Sequence, residues 1–158
     1  DDLRMTVAAA VEPDLAPISG PIVLGTDFGP VSAAAELQAI QSAAAAHADL
    51  VIVHAIDPGR LRLPGGRWRE RVDQARARRE VSAASLVALA RSAGVSARTL
   101  IWNGDPATCV ADAARAEGAR QIFLGSHGRG PIGRAVVGSV SRRVMELADC
   151  PVEVVASE

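Results

Sequence analysis

Short apolar runs alternate with longer helix-favouring stretches along most of the chain. Ile22–Gly25, Leu50–Ile56, residues 98–102, residues 121–124 and Val152–Ala156 are brief and rich in valine, isoleucine and leucine, so they predict strands. Residues 32–48 are alanine-rich and predict a first helix. Trp68–Ser92 predicts a long second helix, with Val72, Ala75, Val81, Leu86 and Leu89 among its apolar positions and Gly94 as its stop. Asp105 and Pro106 read as the N-cap and first residue of a third helix, which runs to about Glu117 and ends at Gly118. Residues 139–148 predict the last helix. Residues 57–66 hold two prolines and three glycines, which marks them as a loop.

Strand and helix alternating in this order imply an α/β domain: a five-stranded, mostly parallel open sheet with helices on both faces. Right-handed crossovers leave few topologies, and ligands of such sheets bind beyond the carboxyl ends of the strands at a switch point. Asp27 after the first strand, Ala55, Ile56 and Asp57 at the end of the second, and Gly125 after the fourth should therefore share one rim.

The most informative segment follows that fourth strand. Residues 125–141 carry glycines at 125, 128, 130, 133 and 138 and serines at 139 and 141. Glycine permits positive φ and lets backbone N–H groups approach an anion with no Cβ in the way. Ser139 is placed to cap the helix that follows, whose start offers free N–H groups and the positive end of a dipole. Any one of these glycines alone would fit an ordinary turn; together with the serine cap and the strand end they favour a phosphate cradle. The run Gly128-Arg129-Gly130-Pro131-Ile132-Gly133 also matches the dinucleotide fingerprint, and Glu153 lies twenty positions on. That match is accidental, because it follows the fourth strand and Glu153 falls inside the last one.

Composition narrows the chemistry. All 17 basic residues are arginine, so a phosphate loop that relies on lysine and Schiff-base catalysis are both excluded. A net charge of −1 argues against nucleic acid as a partner. Cys109 and Cys150 match no metal or redox spacing and read as thiols in a reducing compartment, with a cytoplasmic location expected. No apolar stretch approaches the ~20 residues of a membrane span. Residues 1–20 are expected to be a flexible leader, with residues 1–4 ahead of Met5 a tag remnant, and residues 21–158 the folded domain.

Gly125, Gly128, Gly138 and Ser139 fill the pattern G-x2-G-x9-G-[ST] without a gap. With Thr26-Asp27, His54 to Asp57 and Gly104-Asp105-Pro106 in order, the chain resembles the universal stress protein family, of the nucleotide-binding type, from about residue 21 to 156. The resemblance implies a Rossmann-like fold of the adenine-nucleotide α-hydrolase-like group, holding ATP, ADP or AMP with Mg²⁺. It places Thr26, Asp27 and Ala55 beside adenine and ribose, Gly125 and Gly128 near ribose and the first phosphates, and Gly138, Ser139, Val140 and Ser141 at the distal phosphates. It also implies a homodimer paired through the last strand. Gly25 stands where many members have proline, and Arg129 and Arg134 fall in the variable insert.

Other residues have competing readings. Asp27 is either a ligand group at the rim or a cap for the following helix. His54 reads as a hydrogen-bonded structural group, His47 as solvent-facing, and His127 as a loop histidine or phosphate neighbour with no partner acid for base catalysis. The arginines from Arg60 to Arg79 read as a solvated helix face, with an acidic partner or a cover over the phosphate mouth as alternatives. The expected function is a stress-response module whose nucleotide occupancy regulates dimer or partner contacts. The alternatives are a slow ATP hydrolase and a structural dimer without nucleotide; no catalytic residue and no protein metal site is expected.

Overall fold

The computed structural model describes residues 18–126 and 137–157. Five strands form one sheet: β1 (Ile22–Gly25), β2 (Leu50–Ile56), β3 (Ala97–Asn103), β4 (Gln121–Ser126) and β5 (Val152–Ala156). They lie in the order β3-β2-β1-β4-β5, and every pairing is parallel rather than mostly so. The helices are α1 (Ala33–Ala46), α2 (Trp68–Ser92), α3 (Pro106–Glu117) and α4 (Ser139–Leu147).

Side-chain alternation divides the core between two faces. On one, Ile22, Leu24, Leu50, Ile52 and Phe123 pack against Ala35, Ala39 and Ala43 of α1 and Leu86 and Ala90 of α2. On the other, Val23, Val51, Val53, Ile122 and Leu124 pack against Val110 and Ala114 of α3 and Val144 of α4. β1, β2 and β4 are buried on both faces, which is why they read as apolar runs, whereas β3 lies at an edge and is mostly half-buried. The chain walks outward from β1 through β2 to β3, then crosses to β4 and walks the other way. The switch point lies between β1 and β4.

Helix limits follow local chemistry. At α3 the Asp105 carboxylate accepts from the Thr108 N–H at 3.0 Å, Pro106 opens the helix, and Gly118 closes it in the left-handed conformation at φ 61°. α1 is shorter than the expected 32–48. A 3₁₀ turn at Pro30–Ser32 occupies its first residues, and His47, exposed and left-handed at φ 51°, ends it. In α2, Val72 and Leu86 are buried as their spacing suggests, but Val81 and Leu89 are 70% and 52% exposed. The helix overhangs an edge of the sheet, so only one narrow stripe of it meets the core.

The arginines of α2 are not all a solvated face. Arg76 donates to the Ile101 carbonyl at 2.9 Å and to Asn103 Oδ1 at 2.8 Å, while Arg79 donates to the Asp27 carbonyl at 2.9 Å. The helix is thereby tied to the carboxyl ends of β3 and β1.

Candidate functional site

The chain leaves β1 through a tightly bonded turn. The Thr26 hydroxyl donates to Glu36 Oε1 at 2.6 Å and accepts from the Phe28 N–H at 2.8 Å. Asp27 Oδ1 accepts from the Gly29 N–H at 2.7 Å and from the Ser32 hydroxyl at 2.9 Å. These bonds hold Phe28 in the left-handed region at φ 60°, a conformation that costs a non-glycine residue about 1–2 kcal/mol. Burial pushes the Asp27 carboxyl up, but the bonds from Gly29 and Ser32 and the Arg79 charge outweigh it and leave the group below its ordinary value. Asp27 is therefore ionised at neutral pH. It braces the turn and stands on the rim, but it does not cap α1: its Oδ1 accepts from the Gly29 N–H and the Ser32 hydroxyl, and the N-cap of α1, Ser32, makes no side-chain cap bond.

His54, near the end of β2, lies 2.8 Å from the Thr26 carbonyl through Nδ1. A carbonyl only accepts, so Nδ1 carries the proton. Burial holds the imidazole below its ordinary value, with Arg79 acting in the same direction and the Thr26 bond opposing both. His54 is thus a neutral ring that joins the ends of β2 and β1, with Phe28 5.2 Å away between centroids.

The opposite wall comes from β4 and α4. A Cβ on Gly125 would come within 2.8 Å of the Val31 carbonyl oxygen and 2.9 Å of Ser32 Cα, so this glycine is required by the turn packed on its back. Ser126, the next residue, is 3% exposed, and its hydroxyl has no hydrogen-bond partner among the described residues. Gly138, not Ser139, is the N-cap of α4. It is extended at φ −67° and ψ 168°, its carbonyl accepts the first helical bond from Arg142 N–H, and Ser139 is the first helical residue. A Cβ on Gly138 would meet nothing within 4 Å. The first turn of α4 carries no acidic residue, so its free N–H groups face no competing anion from that turn.

These walls enclose a cleft of about 440 Å³ at the switch point. It brings together Thr26, Asp27, Ala55, Gly125, Gly138, Ser139, Val140 and Ser141. Gly128, His127, Arg129, Arg134 and the accidental fingerprint lie outside the described residues. The cleft is also lined by His54, Pro106, Val110 and Ser126, which the sequence does not assign to it, and by Arg60, one of the arginines for which a cover over the phosphate mouth is an alternative reading. Period-two alternation from Leu124 points to Ser126, and Arg60 arrives on the 3₁₀ turn at Pro58–Leu61.

Comparison with known proteins bears on the same stretch of chain. The model of the universal stress protein family matches residues 19–156. The chain belongs to this family. A universal stress protein of Mycolicibacterium smegmatis is 33% identical over 136 residues, covering 85% of this chain and 45% of that protein. The chain thus spans about half the length of that relative. Among solved structures, a universal stress protein family member from Burkholderia pseudomallei is 28% identical with a TM-score of 0.69, covering 85% of this chain and 94% of that one. The universal stress protein of Archaeoglobus fulgidus in complex with dAMP is 21% identical with a TM-score of 0.62, covering 89% and 99%. The universal stress protein fold is thus that of the α/β sheet described above. Among the described residues, no helix is long and apolar enough to cross a membrane.

Proposed function

We propose that this universal stress protein binds an adenine nucleotide in the cleft between β1 and β4, and that occupancy regulates its contacts with a second copy or another partner. The observation that carries the reading is the composition of that cleft. Strand ends supply Thr26, Asp27, Ala55 and Gly125, and the amino end of α4 supplies Gly138, Ser139, Val140 and Ser141. The free N–H groups and hydroxyls at the start of α4 suit phosphate oxygens, and the open space beside Gly138 leaves room for them. Ala55 and Asp27 then fall on the base and ribose side. The dAMP complex of the Archaeoglobus fulgidus relative supports an adenine ligand for this fold.

Mg²⁺ would arrive with the nucleotide. Among the described residues no group of three or more histidine, cysteine or acidic side chains is placed to hold a metal ion, whereas Mg²⁺ commonly binds through substrate phosphates and water. Its chemistry here would be charge neutralisation of the phosphates, beside the hydroxyls of Ser139 and Ser141.

The test is direct. Protein purified without added nucleotide, then denatured, is expected to release an adenine chromophore; stripped protein is expected to melt at higher temperature with MgATP or AMP. Neither adenine in the extract nor a thermal shift would overturn the reading. If nucleotide binds but leaves the sedimentation profile and partner capture unchanged, binding stands and the regulatory half falls.

A further inference from the structure

The geometry points to the Ser126 hydroxyl as a phosphate-binding group that the glycine-serine motif does not include; this rests on the nucleotide-binding reading above. Leu124 belongs to the core beneath α3 and α4, and strand alternation puts Ser126, two residues on, over the same face. That is the face on which the cleft opens. Gly125 between them faces the other way and is closed off by the Val31–Ser32 backbone. Ser126 therefore lines the cleft, as Gly138 and Ser141 do.

A buried hydroxyl without a partner is costly. Native structures leave few such groups, and each one has lost its water without regaining a bond. In this position the missing partner has a definite character. The neighbouring wall is the positive end of α4, free of acidic residues in its first turn, so the group that belongs beside Ser126 is an anionic oxygen. The hydroxyl would donate one charge-assisted hydrogen bond to a phosphate oxygen of the nucleotide.

This assignment separates two properties that a structural serine would keep together. Ser126→Ala removes an unsatisfied group, so the nucleotide-free variant is expected to melt no lower than wild type. The same variant is expected to bind the tighter of AMP and ATP roughly tenfold more weakly, the scale of one charge-assisted hydrogen bond. Ser126→Cys keeps the volume and donates poorly, so it should lose affinity similarly. Adenosine at millimolar concentration should shift the melting of wild type and variants equally. Calorimetric titration and thermal melts of the stripped chain read all of these. Equal nucleotide affinity in wild type and Ser126→Ala overturns the inference and leaves the nucleotide-binding reading intact. A lower melting point of the nucleotide-free variant, or an adenosine response lost along with the nucleotide response, also overturns it. If wild type binds no adenine nucleotide, both fall together.

Discussion

Gly125 and Gly138 belong to one sequence motif, yet the structure gives them different reasons to be glycine. Gly125 is pressed against backbone, which cannot move aside, whereas Gly138 faces open space. Gly125→Ala is therefore expected to lower folding stability by about 1–3 kcal/mol, as overpacking does. Gly138→Val should stay within about 1 kcal/mol of wild type, because only a cap residue changes, while weakening ATP binding by obstructing the phosphates. Denaturant melts and titration of the two variants test the contrast, and wild-type ATP affinity in Gly138→Val would place the phosphates elsewhere. The motif marks both positions in the sequence without telling them apart. One glycine answers to a turn almost a hundred residues earlier, and that proximity exists only once β1 and β4 are paired. Ser126 is passed over in the sequence although alternation from Leu124 points to it, since a serine in a glycine-rich stretch looks like part of any turn.

Among the elements, those bounded by their own side chains were legible. α3 begins at Asp105 and Pro106 and ends at Gly118 as its residues dictate, and α2 matches its expected span. α1 was overextended because nothing in its alanine-rich stretch distinguishes a 3₁₀ turn from a first helical turn. The bonds between elements were hidden altogether. His54 fastens β2 to the turn after β1, and because its neutral form is favoured in the folded state, it binds a proton less readily there than in the unfolded chain. Its stabilising contribution is complete above the unfolded value of about 6.5 and is lost as pH falls toward the lower folded value. Asp27, also held below its ordinary value, makes its corresponding contribution above about 4 and loses it only in stronger acid. Urea midpoints should therefore drop between about pH 7.5 and pH 5.5, and drop less in His54→Asn. An equal drop in both would assign the pH dependence to other groups.

For the whole molecule, alternation of strands and helices was enough to anticipate an open parallel sheet, and strand ends were enough to anticipate the rim. Strand order required the pairing itself. That order leaves β5 at an edge, with hydrogen bonds to β4 on one side only. We propose that a second copy pairs there. The Pro151 carbonyl and the Ser157 N–H both bond inward to β4, so by alternation the backbone groups of Val154 face outward. Val154→Pro should thus keep the β4 ladder and the fold while removing an edge donor. Sedimentation is expected to show a wild-type dimer and a monomeric variant with unchanged circular dichroism; a monomeric wild type would dispose of the proposal.

A sheet ordinarily insulates whatever happens above it from whatever lies below. Here Arg79 breaks that insulation. It springs from a helix on the face away from the cleft and grips the carbonyl of Asp27 on the cleft's own lip. That one bond joins α2, a helix outside the cleft, directly to the cleft's lip.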